Sequence, residues 1–160
     1  MIGESDHIAS VSTTGGKMSI PSRYSIAIHI LSLIDRDGEE ASSSQIMADS
    51  IGTNPVVVRN ILGKLKKAGL VASKQGVAGA KLAKSPDEIQ LLQIYKAVET
   101  EAPLFSIHDK PNPKCPVGKK IQTTLTGIFQ EAQSALEAKL GEFHLSDVLF
   151  QLDSEKKKRA

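Results

Sequence analysis

NPVVVRNILGKLKKAGL, residues 54–70, is the stretch whose reading decides the fold. Asn54 is a residue type that caps helix starts through its side-chain oxygen. Pro55 suits the first helical position because it has no N–H to waste there, and Gly69 can end the helix in a left-handed conformation. Between these signals the side chains sort into two faces. Val58, Ile61, Leu62, Leu65 and Ala68 follow the spacing of a buried stripe, whereas Val56, Arg59, Asn60, Gly63, Lys64 and Lys67 fall on the opposite side. The segment predicts a helix with an apolar inner face and a cationic, partly small outer one.

Working upstream, Ser42 and Gln45 have capping-box spacing, Ile46 and Ile51 supply apolar contacts, and Gly52 can close a short helix. A short helix, the turn GTN and a longer helix make a helix-turn-helix. Before the polar run DRDGEEA, Pro21 stands near a helix start and Ile26, Ile30, Leu33 and Ile34 recur at helical spacing. Downstream, LVASKQGVAGAKLA has two short apolar ends around a loop with Gly76 and Gly79, which predicts a small β-hairpin. The expected fold class is mainly α with a small β-wing: a winged helix-turn-helix DNA-binding domain followed by a long C-terminal dimerisation helix.

Charge supports a nucleic-acid partner through its placement rather than its sum. The net charge is only +2, yet no Asp or Glu occurs from Ser50 to Pro86 while Arg59, Lys64, Lys66, Lys67, Lys74, Lys81 and Lys84 do. A one-sided cationic segment suits double-stranded DNA, whose phosphates supply affinity and salt dependence. By helix geometry, Arg59 is placed to read guanine through paired hydrogen bonds, Asn60 to address adenine, and Val56 or Val57 to touch a thymine methyl. Lys64, Lys67, Lys74 and Lys81 suit phosphates, and Gln75 at the wing suits the minor groove.

The run NPVVVRNILGKLKKAGLVASKQGVAGAKLAKSPDEIQLLQIYKAVE resembles the winged-helix core of the Rrf-two (Rrf2) family of bacterial transcription regulators, which includes IscR and NsrR. SRYSIAIHILSLI resembles that family's opening helix and HLSDVLFQL its closing segment, so the likeness spans roughly Met18 to Leu152. It implies a cytoplasmic, homodimeric DNA-binding regulator, usually a repressor, acting at promoters. It also implies a DNA-facing set of Arg23 and Tyr24, Ser43, Ser44 and Gln45, and Val56 to Asn60; Asn54, which opens the same helix, is expected beside them at the DNA. Cluster-binding members carry three cysteines in the loop before the long helix. This chain has one, Cys115, so the resemblance does not carry an iron–sulfur cluster over to it.

The C-terminal half argues for a dimer from its own pattern. Ser85 and Glu88 have capping-box spacing, and Leu91, Ile94, Tyr95 and Val98 make a stripe that predicts one helix packing on the wing domain. Ile121, Leu125, Ile128, Phe129, Ala132, Leu136 and Leu140 then line one side of a helix of about 22 residues, about 33 Å long. A two-fold partner bringing the same helix would cover that stripe and set two recognition helices on a near-palindromic site.

KPNPKCPVGKKI, residues 110–121, holds the lone cysteine. One thiol with His108 and Asp109 offers too few ligands for a cluster, so no cofactor and no metal are expected. A Cys115–His108 nucleophile pair has no accompanying motif, so no enzyme activity is expected. His29 and His144 read as packing or surface residues. Two readings of Cys115 stay open: a redox or electrophile sensor favoured by nearby lysines and the helix start, and an inert side chain.

The ends complete the division of the chain. Residues 1–17, polar and rich in Ser, Thr and Gly, read as a disordered leader or tag. Residues 18–100 form the DNA-binding domain, 101–117 a sensor-type loop, 118–152 the dimerisation helix and closing segment, and 153–160 a basic tail. Neither a signal peptide nor a membrane-length apolar run is present, and one cysteine builds no disulfide framework within a chain. The competing function class is a winged-helix module for protein interaction or for small-molecule or metal sensing, without specific DNA binding.

Overall fold

A computed structural model of the chain describes residues 21–38, 43–73, 79–99 and 104–159. The proposed leader, Lys74, Gln75 and the hairpin tip with Gly76 lie outside the described residues. The elements run α1 (Pro21–Asp37), α2 (Ser44–Ile51), α3 (Pro55–Lys67), β1 (Val71–Ser73), β2 (Ala80–Leu82), a 3-10 turn (Pro86–Glu88), α4 (Leu91–Val98), α5 (Pro116–Gly141) and α6 (Leu145–Arg159).

The helix-turn-helix forms by the signals written into it. The Asn54 side chain accepts the Val56 N–H at 2.8 Å, which satisfies one of the donors left open at the start of α3. Gly69 has φ 73°, the left-handed value that lets the chain turn into β1. The cap of α2 differs from expectation. Ser43, not Ser42, is the cap residue, and its hydroxyl accepts the Ile46 N–H at 3.1 Å. The consequence is a shift of the inward face: Met47 and Ala48 are buried and Ile46 is half exposed.

One core sits where α1, α2, α3, β1 and α4 meet. Ile30, Leu31, Met47, Val58, Leu65, Leu70, Ile94 and Val98 are fully buried there. Ala68 does not join them: it caps the end of α3 and is exposed. The wing is a two-stranded antiparallel sheet pairing Val71 with Leu82, Ala72 with Lys81 and Ser73 with Ala80. Val71 and Ala80 point into the core, so the hairpin is anchored at both strands.

The helix expected from Ser85 onward is broken in two. Glu88 accepts the Ser85 N–H at 3.2 Å, but this closes only the 3-10 turn. Ile89 is then fully buried in extended conformation, and α4 begins afresh after Gln90, whose N–H donates to Gln93 at 3.0 Å. The extended link ties the two halves together. Leu91 N–H donates to Phe143 O at 2.9 Å, Leu145 N–H to Ile89 O at 2.8 Å, and Gln90 Nε2 to Gly141 O at 3.0 Å. Burying Ile89 and making three cross-links there outweighs continuing a helix turn.

α5 has 26 residues, about 39 Å at the helical rise, and none of them is buried. α6 continues through the stretch read as a basic tail as far as Arg159. Arg36 of α1 holds it by pairing with Asp153 and by donating to Leu149 O at 3.5 Å.

Candidate nucleic-acid interface

α3 presents its outer face between two shallow concavities. One, of about 340 Å³, is lined by Ser44 at the start of α2, by Arg59, Gly63 and Lys66 of α3, and by Ser73 and Gly79 of the wing. The other, of about 490 Å³, is lined by Ser22 and Arg23 of α1, Thr53 of the turn, and Val57, Asn60 and Lys64 of α3. Val56 stands at the tip of the helix and is 51% exposed. Residues from three separate sequence segments therefore meet on one surface. Four of its described cationic side chains, Arg23, Arg59, Lys66 and Lys67, are exposed, and Lys64 is half-buried.

The structure sorts the expected residues. Arg23, Ser44, Arg59 and Asn60 line the two concavities, and Ser43 and Gln45 sit exposed at the first turn of α2. The Ser43 hydroxyl is occupied as a cap, and the Gln45 amide donates to Asp49 at 2.9 Å. Asn54 keeps its side chain on the backbone of α3. Lys67 and Lys81 are exposed.

Three of the expected residues also make contacts within the chain. Tyr24 faces inward: its hydroxyl donates to Leu91 O at 2.9 Å and its ring meets Tyr95 edge-on at 5.6 Å. Burial first, and the neighbouring Tyr95 second, push its pKa up to about 12. Val57 packs against the core rather than standing free beside Val56. The Lys64 ammonium donates to Val98 O at 3.3 Å, where it meets the last carbonyl of α4 and the negative end of that helix. Arg23, Val56 and Lys66 are exposed on the same surface.

Lys66 and Gly63 also line the concavity beside the wing, and the winding of the helix places Lys66 between its two faces. Gly63 is exposed in mid-helix, and an added Cβ would meet nothing within 4 Å of the chain itself. Glycine there costs helix stability, about 0.5–1 kcal/mol relative to alanine. Among the described residues no packing accounts for it.

A family model described as Rrf2, iron-dependent transcriptional regulator, matches residues 20–151. The chain belongs to the Rrf2 family. It is 52% identical over 130 residues to the "Putative HTH-type transcriptional regulator YwnA" of Bacillus subtilis (strain 168), a match covering 81% of this chain and 96% of that one. A crystal structure described as "a putative DNA binding protein" aligns at TM-score 0.66 with 49% identity over 80% of this chain and 99% of its own. IscR of T. potens aligns at TM-score 0.60 with 18% identity over 85% and 89%, a likeness of fold alone. Rrf2 members are transcription regulators, not enzymes, and the winged helix-turn-helix is a DNA-binding fold.

The family description names iron, which would need several thiolate, imidazole or carboxylate donors in one place. Cys115 is exposed at the start of α5, and among the described residues no group of three His, Cys, Asp or Glu is gathered as a metal would need. His108 is exposed beside it in sequence and contributes its carbonyl to Gln122 at 3.0 Å. These residues do not fit a cluster or an iron ion within one chain. No helix of the described residues is long and apolar enough to cross a membrane.

Proposed function

We propose that the protein is a homodimeric transcription repressor that binds a near-palindromic promoter site through the surface around α3. The observation that carries the dimer is α5. A helix of 26 residues with no buried residue cannot be stable on its own account, since helices in water draw most of their stability from a packed face. Ile128 is 55% exposed on it, and neighbouring Gly127 has open space where a side chain would stand. A large apolar residue beside a bare backbone suits the close approach of a second α5. Two-fold pairing would then set two α3 helices on successive turns of one face of DNA.

Repression follows from occupancy of a promoter by such a dimer, and the kinship to an HTH-type regulator supports the reading. Unbiased selection of bound duplexes tests it directly: an inverted repeat is expected. Titration with the selected duplex at several salt concentrations is expected to give a steep fall of affinity with salt. Recovery of no sequence above random, or only of unrepeated half-sites, would overturn the reading.

We propose in addition that Cys115 makes this dimer responsive to oxidants or electrophiles. The thiol is exposed, and backbone N–H groups at the start of α5, of Gly118 first and Val117 second, hold its pKa below the usual value. Operator affinity measured with and without oxidant, for the native chain and Cys115→Ser, decides this. Loss of response only in the variant supports the role, and equal affinity in all four samples removes it.

A further inference from the structure

α4 packs on α1, on α3 and on α5, so it joins the helices of the DNA surface to the long C-terminal helix. It is fixed to the first two by side chains: Lys64 of α3 donates to Val98 O at 3.3 Å, and Tyr24 of α1 meets the Tyr95 ring edge-on at 5.6 Å. Toward α5 it carries a chain of polar contacts. Gln133 Nε2 donates to Glu137 Oε1 at 3.0 Å and reaches the Tyr95 hydroxyl at 3.4 Å, and Lys96 pairs with Glu137 at 3.1 Å. These contacts hold the second half of α5. Nearer its start α5 meets residues 105–108 instead, with Phe129 stacked on Phe105 and Gln122 on the His108 carbonyl.

Stability does not explain Gln133. The Gln133 amide first and Lys96 second hold the Glu137 carboxyl below its usual range, so that group is ionised and only accepts. The amide nitrogen must therefore face Glu137, and the amide oxygen is left buried without a hydrogen-bond partner. An unpaired buried acceptor costs about 1–3 kcal/mol, which an apolar side chain of the same length would not incur. A polar contact kept at such a cost has another use. It is directional, and it singles out one arrangement of two packed helices from neighbouring ones that apolar side chains would fit almost as well.

We propose that Gln133, with Tyr95, Glu137 and Lys96, sets the angle at which α5 leaves the winged-helix unit, and thereby the spacing of the two half-sites that the dimer accepts. These are positioning residues, and their role rests on the reading of the protein as a dimeric DNA-binding regulator. They add a specificity that no base contact supplies. Two units joined through α5 fill both half-sites only when their recognition helices stand the right distance apart. A tilt of about 10° acting over about 20 Å, the length of a 13-residue helix such as α3, moves its end by about 3.4 Å, one base-pair step. A fixed angle selects one spacing, and a loose one admits several.

The test uses the full chain and duplexes that carry the selected half-site twice, inverted, at every separation over one helical turn. The native chain is expected to favour one separation, with a change of one or two base pairs weakening binding about tenfold. Gln133→Met keeps the length and drops the amide; Tyr95→Phe keeps the ring on Tyr24 and drops the hydroxyl. Both are expected to level the preference to within about threefold while the half-site sequence stays the same. Gln133→Met is also expected to melt no lower than the native chain, because it removes an unpaired acceptor. If it melts well below, the glutamine is held for stability and the proposal is overturned. A native preference that Gln133→Met keeps overturns the proposal alone, whereas a native chain with no preferred separation overturns it together with the dimer reading. A dimer dissociation constant raised about tenfold or more in either variant, by sedimentation equilibrium, would place these residues in the interface and overturn it as well.

Discussion

The α1–α4 unit and the α5 arm are built on opposite principles although one chain makes both. In the first, every helix contributes fully buried side chains to one shared core, and α3 alone contributes Val58 and Leu65 at zero exposure. In the second, Ile121, Leu125, Ile128, Phe129 and Leu136 repeat at helical spacing just as faithfully, yet none is buried. Sequence periodicity reports that a face wants covering, and it is silent on whether the cover lies in the same chain. The difference leaves the first half with its own core and α5 with an apolar face that the described residues do not bury.

That division is broken most severely by Leu65→Ala. Truncating a fully buried leucine costs about 2–5 kcal/mol, so the variant is expected to melt well below the native chain in calorimetry. Ile128→Asp should act in the other half. In a two-fold interface each carboxylate is desolvated by the partner, so the dimer dissociation constant is expected to rise by about a hundredfold or more in sedimentation equilibrium. If Ile128→Asp lowers the melting temperature of the isolated protomer as much as Leu65→Ala does, the arm is part of the core and the comparison fails.

The first half was legible because its signals are local. Asn54, Pro55 and Gly69 fix α3 within one segment. What sequence missed was decided by partners distant in the chain. Tyr24 looked like a surface residue beside Arg23, but the Leu91 carbonyl, 67 positions away, takes its hydroxyl. Lys64 fell on the outer face, but Val98 O captures its ammonium. Ile89 broke a helix because the start of α6 offered it a buried place. None of these is visible in a helical wheel.

Tyr24 ties α1 to α4, and Tyr24→Phe is expected to cost about 1 kcal/mol by removing that hydrogen bond. Its pH signature is separable. The folded pKa is raised to about 12 from 10.0, so the neutral phenol is favoured by folding. That stability is complete below pH 10 and is lost as pH rises toward 12. Denaturant melts across this window should show a fall in the native chain that flattens in Tyr24→Phe. An identical fall in both would mean that Tyr24 does not hold its proton against α4.

Gly63 sharpens the comparison within α3 itself. Alanine there meets no side chain among the described residues and is expected to stabilise the helix by about 0.5–1 kcal/mol. If the bare backbone admits a DNA phosphate, Gly63→Ala weakens operator binding while raising the melting temperature. A gain in both would show that the groove beside Arg59 and Lys66 stays empty in the complex.

The smallest effect on stability is expected at Cys115, where the arm begins. Serine caps helices better than cysteine, so Cys115→Ser should melt no lower than the native chain. The informative readout is chemical. Because Gly118 and Val117 N–H groups favour the thiolate, the rate of alkylation by iodoacetamide should rise with a midpoint below 9.0. Gly118 has a second duty: a Cβ there would stand 2.4 Å from the Asn112 carbonyl oxygen, which accepts the Cys115 N–H at 3.2 Å. Gly118→Ala must therefore displace the turn that places the sulfur over the helix start, and the alkylation midpoint should climb toward 9.0. A midpoint that stays put would mean that lysines 114, 119 and 120, not the backbone of α5, set the reactivity of the thiol.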